Sequence, residues 1–103
     1  MQILDSDFIR KIKDFEWDQG NKEKSLKKHN ITNKESEEPF FDRNNILLED
    51  LLHQEKEDRY IIIGETKNKK ILFIVFTIRK DNIRIISSRI ANKKEVNMYE
   101  KRT

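Results

Sequence analysis

The chain is predicted to adopt an α+β fold: a small antiparallel β-sheet packed with N-terminal helices and a C-terminal helix. Three observations carry that prediction. Residues 71–89 read ILFIVFTIRKDNIRIISSR, two strand-like runs at 71–78 and 83–90 separated by turn-forming Asp81 and Asn82. The segment 72–76 is apolar, β-branched and aromatic throughout, which suits a strand covered on both faces. Finally, Thr32 with Glu35 and Asn92 with Glu95 have the spacing of helix-opening capping boxes on either side of the strand region.

In chain order, Leu4, Phe8 and Ile12 repeat every four residues, which predicts a short amphipathic helix over 3–14. Phe15, Glu16 and Trp17 alternate as a brief strand. Asp18 is expected to cap a helix ending near Asn30, with Leu26 as its main apolar contact. The helix opened by Thr32 must stop before Pro39, and Phe40 and Phe41 are expected to plug the core. Residues 46–52 read as a strand followed by a loop, 53–58 as an acidic loop, 60–63 as a strand and 64–70 as a polar turn. The last helix runs from Lys93 to near the end and packs Val96, Tyr99 and Met98.

A length of 103 residues suits a single domain with one modest core. With 40% charged against 35% hydrophobic residues, that core must come mainly from the central strands. No apolar run is long enough to cross a bilayer and no signal-like segment precedes the first charges, so a cytoplasmic protein without membrane contact is expected. The absence of cysteine excludes disulfides and thiolate chemistry. No His/Cys/Asp spacing suggests a metal, and only Gly20 and Gly64 are present, so no glycine-rich nucleotide loop exists; no cofactor is expected. The net charge of +3 is unevenly spread. Residues 1–58 carry ten Lys/Arg against fifteen Asp/Glu, net −5, and residues 59–103 carry twelve against four, net +8. A basic half of this kind points to a polyanion partner.

Register gives the central strands their chemical interest. If Asp81 and Asn82 form the hairpin loop, Arg79 stands opposite Arg84. Like charges face to face are destabilising, so an anion is required, either a carboxylate of the chain or a ligand phosphate. If the 66–70 turn has a three-residue loop, Arg59 pairs with Thr77 and Glu57 with Arg79, and Glu57, Arg59, Arg79 and Arg84 share a face. A loop longer or shorter by one residue sends Glu57 and Arg59 to the other side. Such a set suits phosphate chemistry, because the planar guanidinium fork makes paired hydrogen bonds. An imidazole is the side chain suited to proton transfer near neutral pH, and His29 is either a helix-end partner or an acid–base group. His53 is expected to be solvated. Trp17 is either core or a stacking platform for a base. Arg89 is either a strand-end ion pair or a phosphate ligand.

Several motifs recur in a familiar order: F-E-W-D at 15–18, K-H-x-I at 28–31, F-D at 41–42, and E-x-R with a following Gly at Glu57, Arg59 and Gly64. T-x-R at 77–79, I-R-I-I-S-x-R-x-A at 83–91 and a closing Tyr99-Glu100 complete the set. Together they resemble the BrnT toxins, small ribonucleases of bacterial type II toxin–antitoxin systems related in fold to RelE-like toxins. The resemblance covers residues 15–100. Asn21, Ser25, Asn30 and Ser88 stand where that family usually has Lys, Asn, Gly and Ala. The resemblance implies metal-independent RNA cleavage by the 2′-hydroxyl, with His29, Glu57, Arg59, Arg79 and Arg84 as catalytic candidates. Lys28, Arg89, Lys93 and Lys94 are RNA-binding candidates. The implied partners are RNA and a BrnA-like antitoxin, in a hetero-oligomer that binds operator DNA through the antitoxin. A non-catalytic module presenting a basic face to nucleic acid or protein is the alternative.

Overall fold

The apolar run becomes β4 (Ile71–Arg79), the middle strand of a five-stranded sheet, in a computed structural model that describes residues 14–50 and 57–102. The other strands are β1 (Asp14–Phe15), β2 (Ile46–Glu49), β3 (Tyr60–Glu65) and β5 (Asn82–Ile90), in the order β1-β5-β4-β3-β2. Three helices accompany them, α1 (Lys24–His29), α2 (Asn33–Glu37) and α3 (Lys93–Arg102), with a 3-10 turn at Glu38–Phe41. The α+β architecture expected of the sequence is the one observed. The sheet is mixed rather than wholly antiparallel, because β1 runs parallel to β5, pairing Phe15 with Ile83. The helix expected over 3–14, and His53, lie outside the described residues.

Alternation along the strands splits the sheet into two apolar faces. Ile62, Leu72, Ile74, Phe76, Ile83 and Ile85 face one side, where Ile31 and Phe40 from the helical segment cover them. Ile46, Leu48, Ile61 and Ile63 face the other side together with Tyr99 of α3. Both helix-start expectations hold. Thr32 and Glu35 form a reciprocal capping box, and Glu95 N donates to Asn92 Oδ1 (2.9 Å) while Asn92 N donates to Glu95 Oε1 (2.8 Å).

Gly64 allows the 3-10 turn to lie on β3. A Cβ there would sit 2.8 Å from Pro39 Cβ and 3.0 Å from the Pro39 carbonyl oxygen. Phe40 plugs the core as expected, making edge contacts with Phe15 and Phe76. Phe41 does not: it is 77% exposed, because in so tight a turn adjacent side chains leave in different directions.

The predicted helix from Asp18 to Asn30 is cut to six residues, Lys24–His29. Glu23 has φ 62°, a left-handed conformation that a helix cannot run through. Residues 18–22 instead form a turn, with Asn21 N and Lys22 N donating to the Asp18 carbonyl. Leu26 is 39% exposed rather than the main contact of its helix. The helix is instead tied to β5 by Ser88 N donating to Ser25 Oγ (2.9 Å).

The hairpin also departs from expectation. Its loop is Lys80-Asp81, both at positive φ (51° and 68°), and not Asp81-Asn82. Arg79 is therefore opposite Asn82 and Arg84 opposite Thr77. The pairing shifts by one residue between Val75 and Phe76, where Ile86 is inserted as a bulge. The shift inverts the side-chain order beyond it. Ser88 and Ile90 then share the face of Ile74 and Leu72, and Arg89 turns to the α3 side. Without the bulge, Arg89 would point into the apolar layer beneath the helices, at the cost of burying a charge.

Candidate active site at the hairpin end of the sheet

The 66–70 turn decides where Glu57 goes. Thr66 N donates to the Lys70 carbonyl (2.8 Å), so three residues form the loop, and Lys69 adopts a left-handed φ of 67° to close it. The register that follows pairs Tyr60 with Phe76. Carried back along the chain, it sets Arg59 opposite Thr77 and Glu57 opposite Arg79, the register expected from the sequence. Thr77, buried, donates its hydroxyl to the Asp58 carbonyl (2.6 Å), which holds this incoming segment against β4.

Glu57 Oε2 accepts from Arg79 Nη2 (3.2 Å) and Nε (3.3 Å). Arg79 Nη1 also lies 3.9 Å from Glu16 Oε1. The same Glu16 oxygen accepts from Arg84 Nη1 at 3.1 Å. Arg84 in turn makes a two-pronged contact with Asp18, Nη1 to Oδ2 at 2.7 Å and Nη2 to Oδ1 at 3.0 Å. An alternating chain results: Asp18, Arg84, Glu16, Arg79, Glu57. The anion required by two crowded arginines thus comes from the protein itself.

Local structure explains each placement. The parallel pairing of Phe15 with Ile83, continued by Glu16 N donating to the Ile83 carbonyl (2.7 Å), lays Glu16 beside Arg84. Asn21, buried, donates through Nδ2 to the carbonyls of Glu16 (2.9 Å) and Ile85 (3.0 Å), and its Oδ1 accepts from Asp18 N (2.8 Å). That one amide pins the 16–21 segment to β5. Gly20 provides room, since a Cβ there would meet Arg84 Nη2 at 2.8 Å.

The two arginines differ in exposure: the Arg84 side chain is 14% exposed and that of Arg79 47%. Hydrogen bonding to Asp18 raises the affinity of Arg84 for its proton. Arg84, followed by the Gly20 N–H, holds the Asp18 carboxyl below the usual carboxylate range.

Arg59, half-buried, has the strand parity of Glu57, Ile61 and Ile63 and stands opposite Thr77, which puts it on the α3 side together with Glu57, Arg79 and Arg84; its carbonyl accepts from Asp50 N (2.9 Å). The other expected residues lie elsewhere. Arg89 is opposite Phe73, six residues along β4 from Arg79, which is about 20 Å at the rise of a strand. It pairs two-pronged with Glu95, 2.8 Å for each bond, and its guanidinium stacks 4.1 Å above the Phe73 ring. Arg89 therefore forms a strand-end ion pair. His29 ends α1, which packs against β5, and is exposed, with no hydrogen bond or ion pair to Glu57, Arg79 or Arg84. Lys28 shares that helix end, and Lys93 and Lys94 are exposed at the start of α3. Trp17 packs against the core and donates Nε1–H to Glu37 (2.7 Å), leaving its ring as structure. Tyr99 is buried as expected and donates its hydroxyl to Asp42 Oδ2 (2.6 Å).

Sequence pattern alone does not single out Glu16 and Asp18: Glu16 reads as the polar residue of a strand and Asp18 as a helix cap. The available signal was the pair of acids flanking Trp17, on the same parity as each other.

Among the described residues no group of His, Asp and Glu is arranged to hold a metal, and no helix is long and apolar enough to cross a membrane. A search of curated protein sequences returned no match to the chain. A family model described as "Ribonuclease toxin, BrnT, of type II toxin-antitoxin system" matches residues 17–95. That span contains Asp18, Glu57, Arg59, Arg79, Arg84 and Arg89, and it covers most of the 103 residues. The chain belongs to the BrnT family of ribonuclease toxins of type II toxin–antitoxin systems.

Proposed function

We propose that this protein cleaves RNA at the hairpin end of its sheet, without a metal, by attack of a ribose 2′-hydroxyl on the adjacent phosphate. The observation that supports it most is the convergence of Glu57, Arg79 and Arg84 on one face at one strand end. Arg79, Arg84 and Arg59 form the phosphate clamp, stabilising the charge that accumulates on the phosphorane. Glu57 takes the 2′-hydroxyl proton or orients the group that does. The O2′–P bond forms as the P–O5′ bond breaks. The departing 5′-oxygen regains a proton, directly from the acid formed or through water, leaving a cyclic phosphate and a 5′-hydroxyl. Dependence on the 2′-hydroxyl restricts the reaction to RNA.

His29 makes no hydrogen bond to Glu57, Arg79 or Arg84 in the conformation described. With Lys28, Arg89, Lys93 and Lys94, it is assigned to contact with RNA beyond the scissile bond. Inhibition of translation and growth follows from the cleavage. Neutralisation comes from a BrnA-like antitoxin covering the arginine-bearing face, in a complex that reaches operator DNA through the antitoxin. The protein acts in the cytoplasm as a single domain over 1–103.

A specific observation favours a second reading, a non-catalytic module with a basic face: Arg79, Arg84 and Arg89 are all engaged by carboxylates of the chain. Incubating purified protein with RNA in excess chelator separates the two. Cleavage by the wild type that is lost in Arg79→Ala supports the enzyme. Intact RNA with both proteins supports the binding module, and cleavage that chelator abolishes overturns the metal-free mechanism.

A further inference from the structure

Arg84 is well built to grip a phosphate, yet its fork is already filled. Both of its terminal nitrogens bond the two oxygens of Asp18, at 2.7 and 3.0 Å. A carboxylate in this two-pronged geometry occupies the position in which a guanidinium takes two phosphate oxygens. Asp18 Oδ1 also accepts from Gly20 N at 2.8 Å, so the carboxylate sits between a guanidinium and a backbone N–H aimed at the same point. Those are the donors of an anion seat.

The two partners differ in freedom. The Arg84 side chain is 14% exposed, held from below by Glu16 and limited from above by the Gly20 backbone. The Asp18 side chain is 53% exposed and can turn into water without disturbing the fork.

We propose that Asp18 is an internal competitor for the substrate phosphate: it fills a phosphate seat made by the Arg84 guanidinium and the Gly20 N–H, and RNA binds there by displacing it. The inference rests on the assignment of Arg84 to the phosphate clamp and adds to it a built-in regulation of affinity. An occupied seat lowers affinity without any change in contacts, because binding is discounted by the fraction of time the seat is open. Displacement also selects for polyanions. A phosphodiester held at several points along the basic half can pay for expelling Asp18, whereas a single carboxylate or chloride gains nothing over it.

The test measures binding of a 2′-O-methyl RNA oligonucleotide, which has no 2′-hydroxyl and cannot be cleaved by this route. Asp18→Asn should bind it about tenfold more tightly than the wild type, the gain expected if the seat is open about a tenth of the time. Asp18→Ser, which keeps an oxygen acceptor for the Gly20 N–H, should show a similar gain and serves if the Asn variant does not fold. Asp81→Asn removes the same charge from the exposed hairpin loop and should change affinity by less than about twofold, the level of unspecific electrostatics. In an Arg84→Lys background the gain from Asp18→Asn should vanish. The inference is overturned if neither Asp18 variant gains, if Asp81→Asn gains as much, or if the gain survives Arg84→Lys. Failure of the wild type to cleave ordinary RNA would instead count against the ribonuclease mechanism, a separate measurement from this titration.

Discussion

Glu57 and Arg79, 22 residues apart in the chain, meet as an ion pair with Arg79 Nη2 3.2 Å from Glu57 Oε2. Both side chains remain partly exposed, 31% and 47%. A pair this wet adds at most about 1 kcal/mol to stability. Arg79→Ala should therefore leave the melting temperature within a few degrees of the wild type while lowering kcat/KM for RNA roughly 100-fold or more. Arg79→Lys should recover little of the loss, because an ammonium cannot reproduce the fork. Parallel thermal melts and cleavage assays check this; equal cleavage by Arg79→Ala would remove Arg79 from the clamp.

Gly64 lies under Pro39, with a hypothetical Cβ 2.8 Å from that ring. The obstructing atoms include backbone, so the 3-10 turn must lift from β3 to accept a methyl. Gly64→Ala should cost about 1–3 kcal/mol through overpacking, read as a lower urea midpoint at unchanged slope. A midpoint at or above that of the wild type would show that the turn has room.

Ser88 is fully buried beneath α1, and its hydroxyl oxygen has no hydrogen-bond partner in the structure. Its backbone N–H is separately satisfied by Ser25 Oγ. Removing the stranded hydroxyl should stabilise the fold, so Ser88→Ala is expected to raise the unfolding free energy by about 1 kcal/mol. Ser88→Val should reverse the sign, since its branched side chain is one heavy atom larger than serine's at a fully buried position. Calorimetry of the two variants distinguishes these effects.

Acid should unfold the protein through its paired carboxylates. The hydrogen bond from Lys70, at 2.7 Å, leads in holding Glu35 below its ordinary value of 4.5. Burial pushes Glu95 up, but the Arg89 bond, the Asn92 N–H and the Arg89 charge outweigh it, leaving Glu95 below 4.5 as well. Folded-state values lower than unfolded ones mean that the unfolded chain binds more protons in this range. The stabilisation is complete above about pH 4.5 and is lost as pH falls through the depressed folded values. Urea midpoints measured from about pH 6 down to about pH 3 should fall, and Glu35→Gln with Glu95→Gln should flatten that fall. An unchanged slope in the double variant would place the acid sensitivity elsewhere.

Local chemistry determined much of this protein from the sequence alone. Hydrophobic alternation identified β3, β4 and β5, and the two capping boxes located the starts of α2 and α3. Those signals extend over a few residues, so they are readable in a string. The tertiary structure decided the rest. The bulge at Ile86 turns Arg89 out of the apolar layer, and the hairpin loop closes at Lys80-Asp81. The same structure exposed Phe41, laid β1 parallel to β5 and left His29 exposed at the end of α1. It also gave Arg84 its partners, Glu16 and Asp18, from 68 and 66 residues away. Any acid in the chain could have neutralised that guanidinium. Which one does depends on how β1 docks at the sheet edge, a free-energy balance of the whole core that no local pattern encodes.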